Sequence, residues 1–127
     1  MRTCPTDFRT SAFTLPELLL VVVIFGILTS IALPAYNSSV TTTRQSSANA
    51  NARALAAAVQ SRAKRIGRYD RNVADYASDF GGSVPINPCT ETSSGYLIVA
   101  SLTNATVTAT EGQNCGFWTP ITYSVKL

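Results

Sequence analysis

Phe13-Thr14-Leu15-Pro16-Glu17-Leu18-Leu19-Leu20-Val21-Val22-Val23-Ile24-Phe25-Gly26-Ile27-Leu28-Thr29-Ser30-Ile31-Ala32-Leu33-Pro34-Ala35-Tyr36 is the stretch on which the reading of this 127-residue chain turns. From Leu18 to Leu33 it holds no charge, and Glu17 is its only charged residue. With Phe13 to Leu15 before it and Ala35 and Tyr36 after it, the run comes close to the ~20 residues a helix needs to cross a bilayer. Its twelve large apolar side chains, at roughly −0.3 to −0.6 kcal/mol each, favour insertion by about 5 kcal/mol. A carboxylate costs about 2.5–3.5 kcal/mol at the bilayer centre and less near an end. The stretch therefore inserts with its glutamate, and the glutamate needs a reason.

A secretory signal would place a small-residue cleavage site after the apolar core. Here the basic start exists (Arg2, Arg9), but the small residues Ser11 and Ala12 precede the core. That order predicts cleavage ahead of the apolar run, which stays in the mature protein. Ala12-Phe13-Thr14-Leu15-Pro16-Glu17-Leu18 followed by the apolar run resembles the class III signal of type IV pilins and pseudopilins. The resemblance spans residues 12–36, about a fifth of the chain. It implies that a prepilin peptidase cuts between Ala12 and Phe13 and methylates the new Phe13 amine. It also implies that Glu17 guides assembly by facing that amine on a neighbouring subunit. Gly26 and Pro34 fall where family members commonly carry a Gly and a Pro that loosen the helix. Two residues depart from the usual pattern: Ala12 stands for Gly, and Pro16 for an aliphatic residue. Pro16 is tolerated because the first helical N–H groups have no intrahelical acceptor. Thr14-x-x-Glu17 is also a capping box. Its intramembrane setting and the short basic leader favour an assembly role for the carboxylate over capping alone.

Arg2 and Arg9 precede the span and no basic residue follows it until Arg44. This places the N-terminus in the cytoplasm and the remainder outside it, as a single-pass inner-membrane precursor. The net charge of +3 and the pI of about 9.0 are too modest to imply nucleic acid. Of three cysteines, Cys4 leaves with the leader, and Cys89 and Cys115 remain in an oxidising compartment, where a disulfide is expected. Closing that loop contributes about 3–4 kcal/mol by the chain-entropy argument. The pair also resembles the disulfide-bounded C-terminal region of type IV pilins. The chain has no histidine, which excludes Ser/His and Cys/His catalysis, and two cysteines alone cannot close a zinc shell. No enzyme, metal or cofactor is expected.

The organisation expected is α+β and pilin-like: a leader at 1–12, an assembly helix at 13–36, its amphipathic continuation at 37–67, and a connector with an antiparallel sheet at 68–127. Ala48, Ala52, Leu55, Val59, Ala63 and Ile66 recur at spacings of three and four, which defines one apolar stripe. Gly67 supplies a stop. Pro34 removes the bond to the Ser30 carbonyl and is expected to kink the helix, and a locally melted segment from Gly26 to Pro34 is compatible with the sequence. Residues 68–94 read as an irregular connector. Strands are expected at Tyr96–Ala100, at Ala105–Thr110, and at Phe117–Trp118 with Ile121–Val125. Leu102–Asn104 and Glu111–Asn114 are the turns, and Pro120 belongs at an edge or bulge.

Seven basic residues lie between Arg44 and Arg71. Lys64, Arg68 and Arg71 share a helical spacing if the helix passes Gly67, with Arg65 beside them. DNA or partner contact is one reading; a solvated face, or pairing with Asp70, Asp75 and Asp79, is favoured. The aspartates lack the spacing of a calcium loop. Asn37-Ser-Ser39 and Asn104-Ala-Thr106 match the glycosylation sequon, a signal of low specificity. The leading expectation is a self-polymerising pilus subunit that also meets the prepilin peptidase and the inner-membrane assembly machinery. A pseudopilin of a secretion or competence machine, and a monomeric membrane-anchored binding module, are the alternatives.

Overall fold

The structure, a computed structural model, describes residues 13–127. Helix α1 (Leu15–Ile66) is followed by a 3-10 helix (Val73–Phe80), strands β1 (Tyr96–Ala100) and β2 (Asn104–Ala109), a short 3-10 turn (Gln113–Cys115) and strand β3 (Thr122–Lys126). The architecture is the expected α+β, pilin-like one: a long N-terminal helix and a small antiparallel sheet. The chain divides between Tyr36 and Asn37 into two units.

The first unit is helical although Val21, Val22, Val23 and Ile24 are β-branched and stiff in a helix. In an apolar medium each peptide group must find a partner within its own segment, and that outweighs side-chain propensity. Thr29 and Ser30 turn their hydroxyls onto the Phe25 and Ile27 carbonyls at 2.6 and 2.7 Å. The helix runs unbroken from Gly26 through Pro34. The local melting that the sequence admits is not seen there.

In the second unit, residues 37–44 have no apolar stripe but remain helical. Thr41, Thr42 and Thr43 donate to the carbonyls of Asn37, Ser38 and Ser39 at 2.8–3.0 Å, so the hydroxyls do not compete for the backbone. From Ala48 onward the stripe sinks into the core. Ala48, Ala52, Leu55, Ala56 and Val59 are buried in one cluster with Ile98, Ala100, Ala105, Val107 and Ala109 of the sheet, and Ala63 is buried as well, making six buried helical positions. Alanine at four of those six helical positions lets the helix approach the strands closely. Ile66, expected on the stripe, is exposed: it is the last residue of α1, and Gly67 turns the chain away at φ 74°.

The sheet order is β1-β2-β3, antiparallel throughout, with Ile98 opposite Val107 and Val107 opposite Tyr123. β1 has the expected bounds, and β2 is shifted by one residue from those expected. Phe117 and Trp118 lie outside β3, and Pro120 precedes it. They fall in the connection that carries Cys115, whose disulfide and short 3-10 turn replace a simple four-residue hairpin turn. The 68–94 connector is more ordered than its composition predicts. Asn72 caps the 3-10 helix through the Ala74 N–H at 3.1 Å, Gly81 closes it in the left-handed region, and Tyr76 fills the core beneath it.

Candidate functional site

The site with the most chemistry begins at Phe13. Ala12, the other half of the expected cleavage point, lies outside the described residues. Phe13 and Thr14 precede α1 in extended chain, and Glu17 falls in its first turn. The Glu17 carboxylate accepts from the Thr14 amide at 3.4 Å and from the Thr14 hydroxyl at 3.3 Å. One bond of a capping box is made, from the Thr14 amide to the Glu17 carboxylate; the other contact joins the two side chains, and both are at the long end of hydrogen-bond range. Pro16 sits where no N–H is needed, and Glu17 and Leu18 donate to the Thr14 carbonyl at 3.1 and 3.2 Å. A carboxylate at a helix N-terminus also faces the positive end of the macrodipole. These are weak, exchangeable bonds, and a cationic amine would compete for the same oxygen with a charge-assisted one.

Among the described residues nothing buries the apolar side chains of the helix from Leu18 to Tyr36. The large apolar side chains from Leu15 to Tyr36 are 46–80 % exposed, and the segment is long and apolar enough to cross a membrane. Gly26 has open space around it, and Pro34 lies inside the helix.

With this geometry in hand, the comparison with protein families is direct: residues 8–33 match the prokaryotic N-terminal methylation motif. The chain carries the class III signal of type IV pilin-like proteins. No match was found among curated proteins or among solved structures. That motif is the one carried by type IV pilin-like and pseudopilin proteins, structural subunits that a prepilin peptidase cleaves and that assemble into filaments. The motif and the apolar helix fit a membrane-anchored precursor.

The basic residues are not brought together on a helical face. α1 ends at Ile66, so Lys64, Arg68 and Arg71 do not share the continuing spacing on which a common stripe depends. Aspartates take most of their neighbours. Arg62 and Arg68 meet Asp70 at 3.2 and 3.5 Å, Arg65 meets Asp79 at 2.7 Å, and Arg62 lies 5.6 Å over the Tyr76 ring. Arg71 gives its guanidinium to the Ala100 carbonyl at 2.9 Å. Asp70 and Asp79 thus fasten the 68–80 segment to α1. Among the described residues no group of three or more His, Cys, Asp or Glu is placed to hold a metal ion.

Cys89 and Cys115 form the disulfide, both buried, with Cα atoms 5.1 Å apart. Sequence reasoning missed the residue that organises this lobe. Asn87 is fully buried, and its side chain donates to the Gly95 and Thr110 carbonyls at 2.5 and 3.1 Å while accepting from the Cys89 N–H at 2.9 Å. Its place between Pro85 and Pro88, two residues before a cysteine, was the available signal. Gly112 lies against the Cys89 carbonyl so closely that a Cβ there would overlap it. The lobe is tied to α1 by Arg44 and Gln45, which donate to the Asn114 and Cys115 carbonyls at 3.4 and 2.8 Å.

Proposed function

We propose that this chain is a structural subunit of a type IV pilus, extracellular once assembled, and that it polymerises through its N-terminal helix. The observation that carries the reading is Glu17, one carboxylate in the first turn of an uncovered apolar helix that lies within the methylation motif. Cleavage between Ala12 and Phe13 creates an amine, and methylation leaves it able to hold a positive charge. A charge buried in an apolar bundle costs several kcal/mol unless it is paired. A subunit docked out of register leaves Glu17 and an amine apart and is rejected. An uncleaved chain offers only a peptide amide at Phe13, so polymerisation waits on processing. Gly26 and Pro34 are the points at which the helix adjusts its packing. The disulfide-stapled head favours a pilus subunit over a pseudopilin, and a monomeric anchored module would leave Glu17 no task beyond capping.

The test is an intact-mass spectrum of sheared surface filaments alongside the Glu17→Ala variant. The wild-type subunit is expected to lack residues 1–12 and to carry one added methyl. Glu17→Ala is expected to insert and to be cleaved as wild type does, with filament yield reduced at least tenfold. A variant that is processed and assembles normally would reduce Glu17 to a helix cap.

A further inference from the structure

The head, residues 37–127, carries two unlike surfaces at its opposite ends. At one end, Arg68, Tyr69, Arg71 and Leu102 line a cleft of about 360 Å³ between the end of α1 and the β1–β2 turn. Arg71 is fixed there by its bond to the Ala100 carbonyl, and the Arg68 side chain is 77 % exposed. Leu102 is 92 % exposed, an apolar side chain with no cover of its own. Asp70 and Asp79 are shared among Arg62, Arg65 and Arg68, and Arg71 bonds a neutral carbonyl, so guanidinium groups outnumber these carboxylates four to two and the cleft keeps a cationic rim.

At the other end is the disulfide lobe. Phe117 is fully exposed beside Glu111, and Gly116 next to it adopts φ 61°. Glu91 lies in the same lobe, its carboxylate accepting from Asn114 at 3.0 Å. Arg44, the nearby cation, is turned onto the Asn114 carbonyl.

Two independent rulers set the distance between these ends. The lobe is bonded to α1 at Gln45, and the ion pairs of the cleft end begin at Arg62 and Arg65. Those helical positions are roughly 25–30 Å apart at ~1.5 Å per residue. β2 runs the opposite way along the same line, from Asn104 near the cleft to Ala109 near the lobe, over about 17 Å at ~3.3 Å per residue. Lobe and cleft of one copy therefore cannot meet. Those of two copies can.

We infer that the Glu111–Phe117 lobe of one copy docks in the Arg68–Arg71–Leu102 cleft of a second copy, a head-to-tail contact that sets the order of heads along the filament. It rests on the reading that the chain polymerises. The contact pairs carboxylate with guanidinium and covers an aromatic ring with Leu102 and an arginine face, the arrangement in which Arg and aromatic side chains serve as anchors. Because the two surfaces differ and lie at opposite ends, the contact is heterologous. A heterologous contact is the kind that an open filament requires.

The experiment uses the full chain in assembling cells. Arg68→Glu and Glu111→Arg are each expected to lower filament yield at least tenfold, and the two together to restore it. A photo-crosslinking phenylalanine analogue at position 117 is expected to label the 68–102 region of a second copy. Protease resistance of the head and an intact Cys89–Cys115 bond serve to exclude misfolding. Single variants that assemble normally, a double variant that stays defective with folded heads, or label found only within one copy would overturn the contact. If the wild-type chain is processed and forms no filament, it is the pilus reading that falls.

Discussion

The two halves of α1 are one helix by hydrogen bonding and two different objects by every other measure. Before Asn37, the large apolar side chains lie open and the hydroxyls of Thr29 and Ser30 turn inward. After it, Ala48, Ala52, Leu55, Ala56, Val59 and Ala63 are buried, and side chains reach out to distant carbonyls. Asn51 bonds Ile86 at 3.0 Å, and Gln60 bonds Lys126 at 3.2 Å. Among the described residues the first half packs on nothing and is stabilised only by its own helical hydrogen bonds. The second takes its stability from a sheet that it helps to build. Helicity alone thus says little about what a segment contributes.

The largest expected effect tests that division. Leu55→Ala empties a fully buried position and is expected to cost about 2–5 kcal/mol of head stability. Leu20→Ala, an equal truncation on the open half, is expected to leave head stability within about 0.5 kcal/mol of wild type. Urea unfolding in detergent micelles, followed by the single tryptophan Trp118, reads the head alone. Equal losses for the two variants would show that the halves share one cooperative core.

A smaller effect is expected at the disulfide lobe. Removing the bridge with Cys89→Ser and Cys115→Ser releases a loop of sequence separation 26. This is expected to cost about 3 kcal/mol, by the loss of a constraint on the unfolded chain. Gly112→Ala should also weaken the lobe, since its methyl would overlap the Cys89 carbonyl. Both are read from the urea midpoint, and neither should change the helicity of the open half. Loss of far-UV helix signal from residues 15–36 in the bridge variant would tie the lobe to the apolar segment.

These contrasts also explain what could be read from the sequence. The apolar run, Glu17 and the small residues before Phe13 form a local code, because their chemistry depends on order along the chain. β1 was legible with its bounds because Tyr96–Ala100 is a compact apolar run that alternates between core and solvent. The Val73–Phe80 3-10 helix was not legible. Its eight residues hold one buried anchor, Tyr76, and are secured by Asn72, Gly81 and ion pairs to Arg62 and Arg65 that come from elsewhere in the chain. Ile66 failed for a related reason, since a periodic stripe does not reveal where the sheet beneath it ends. Asn87 could not be ranked above other asparagines, because its importance lies in three bonds to groups as many as 23 residues away.

The smallest expected effect concerns two buried phenols of the head. Burial raises Tyr96 above its ordinary value of 10.0, with Asn51 beside it opposing the rise. Burial first, and then the negative charge of Asp70, raise Tyr76. A raised value means that the folded state keeps a proton the unfolded chain gives up. The resulting stability is therefore complete below pH 10 and is lost as pH rises through the folded values. The two hydroxyls differ in one respect. Tyr76 donates to the Asp70 carbonyl at 2.8 Å, whereas the buried Tyr96 hydroxyl has only Asn51 beside it and makes no bond within hydrogen-bond range, the Asn51 amide being turned to Ile86. Removing an unpaired buried hydroxyl abolishes its desolvation cost and forfeits no bond. Tyr96→Phe is thus expected to stabilise the head by up to about 1 kcal/mol at neutral pH and to flatten part of the alkaline decline. Tyr76→Phe is expected to lose about 1 kcal/mol at neutral pH while flattening the decline as well. Urea midpoints at pH 7 and above pH 10 separate the two. A Tyr96→Phe head that is less stable than wild type at pH 7 would mean that the Tyr96 hydroxyl has a hydrogen-bond partner after all.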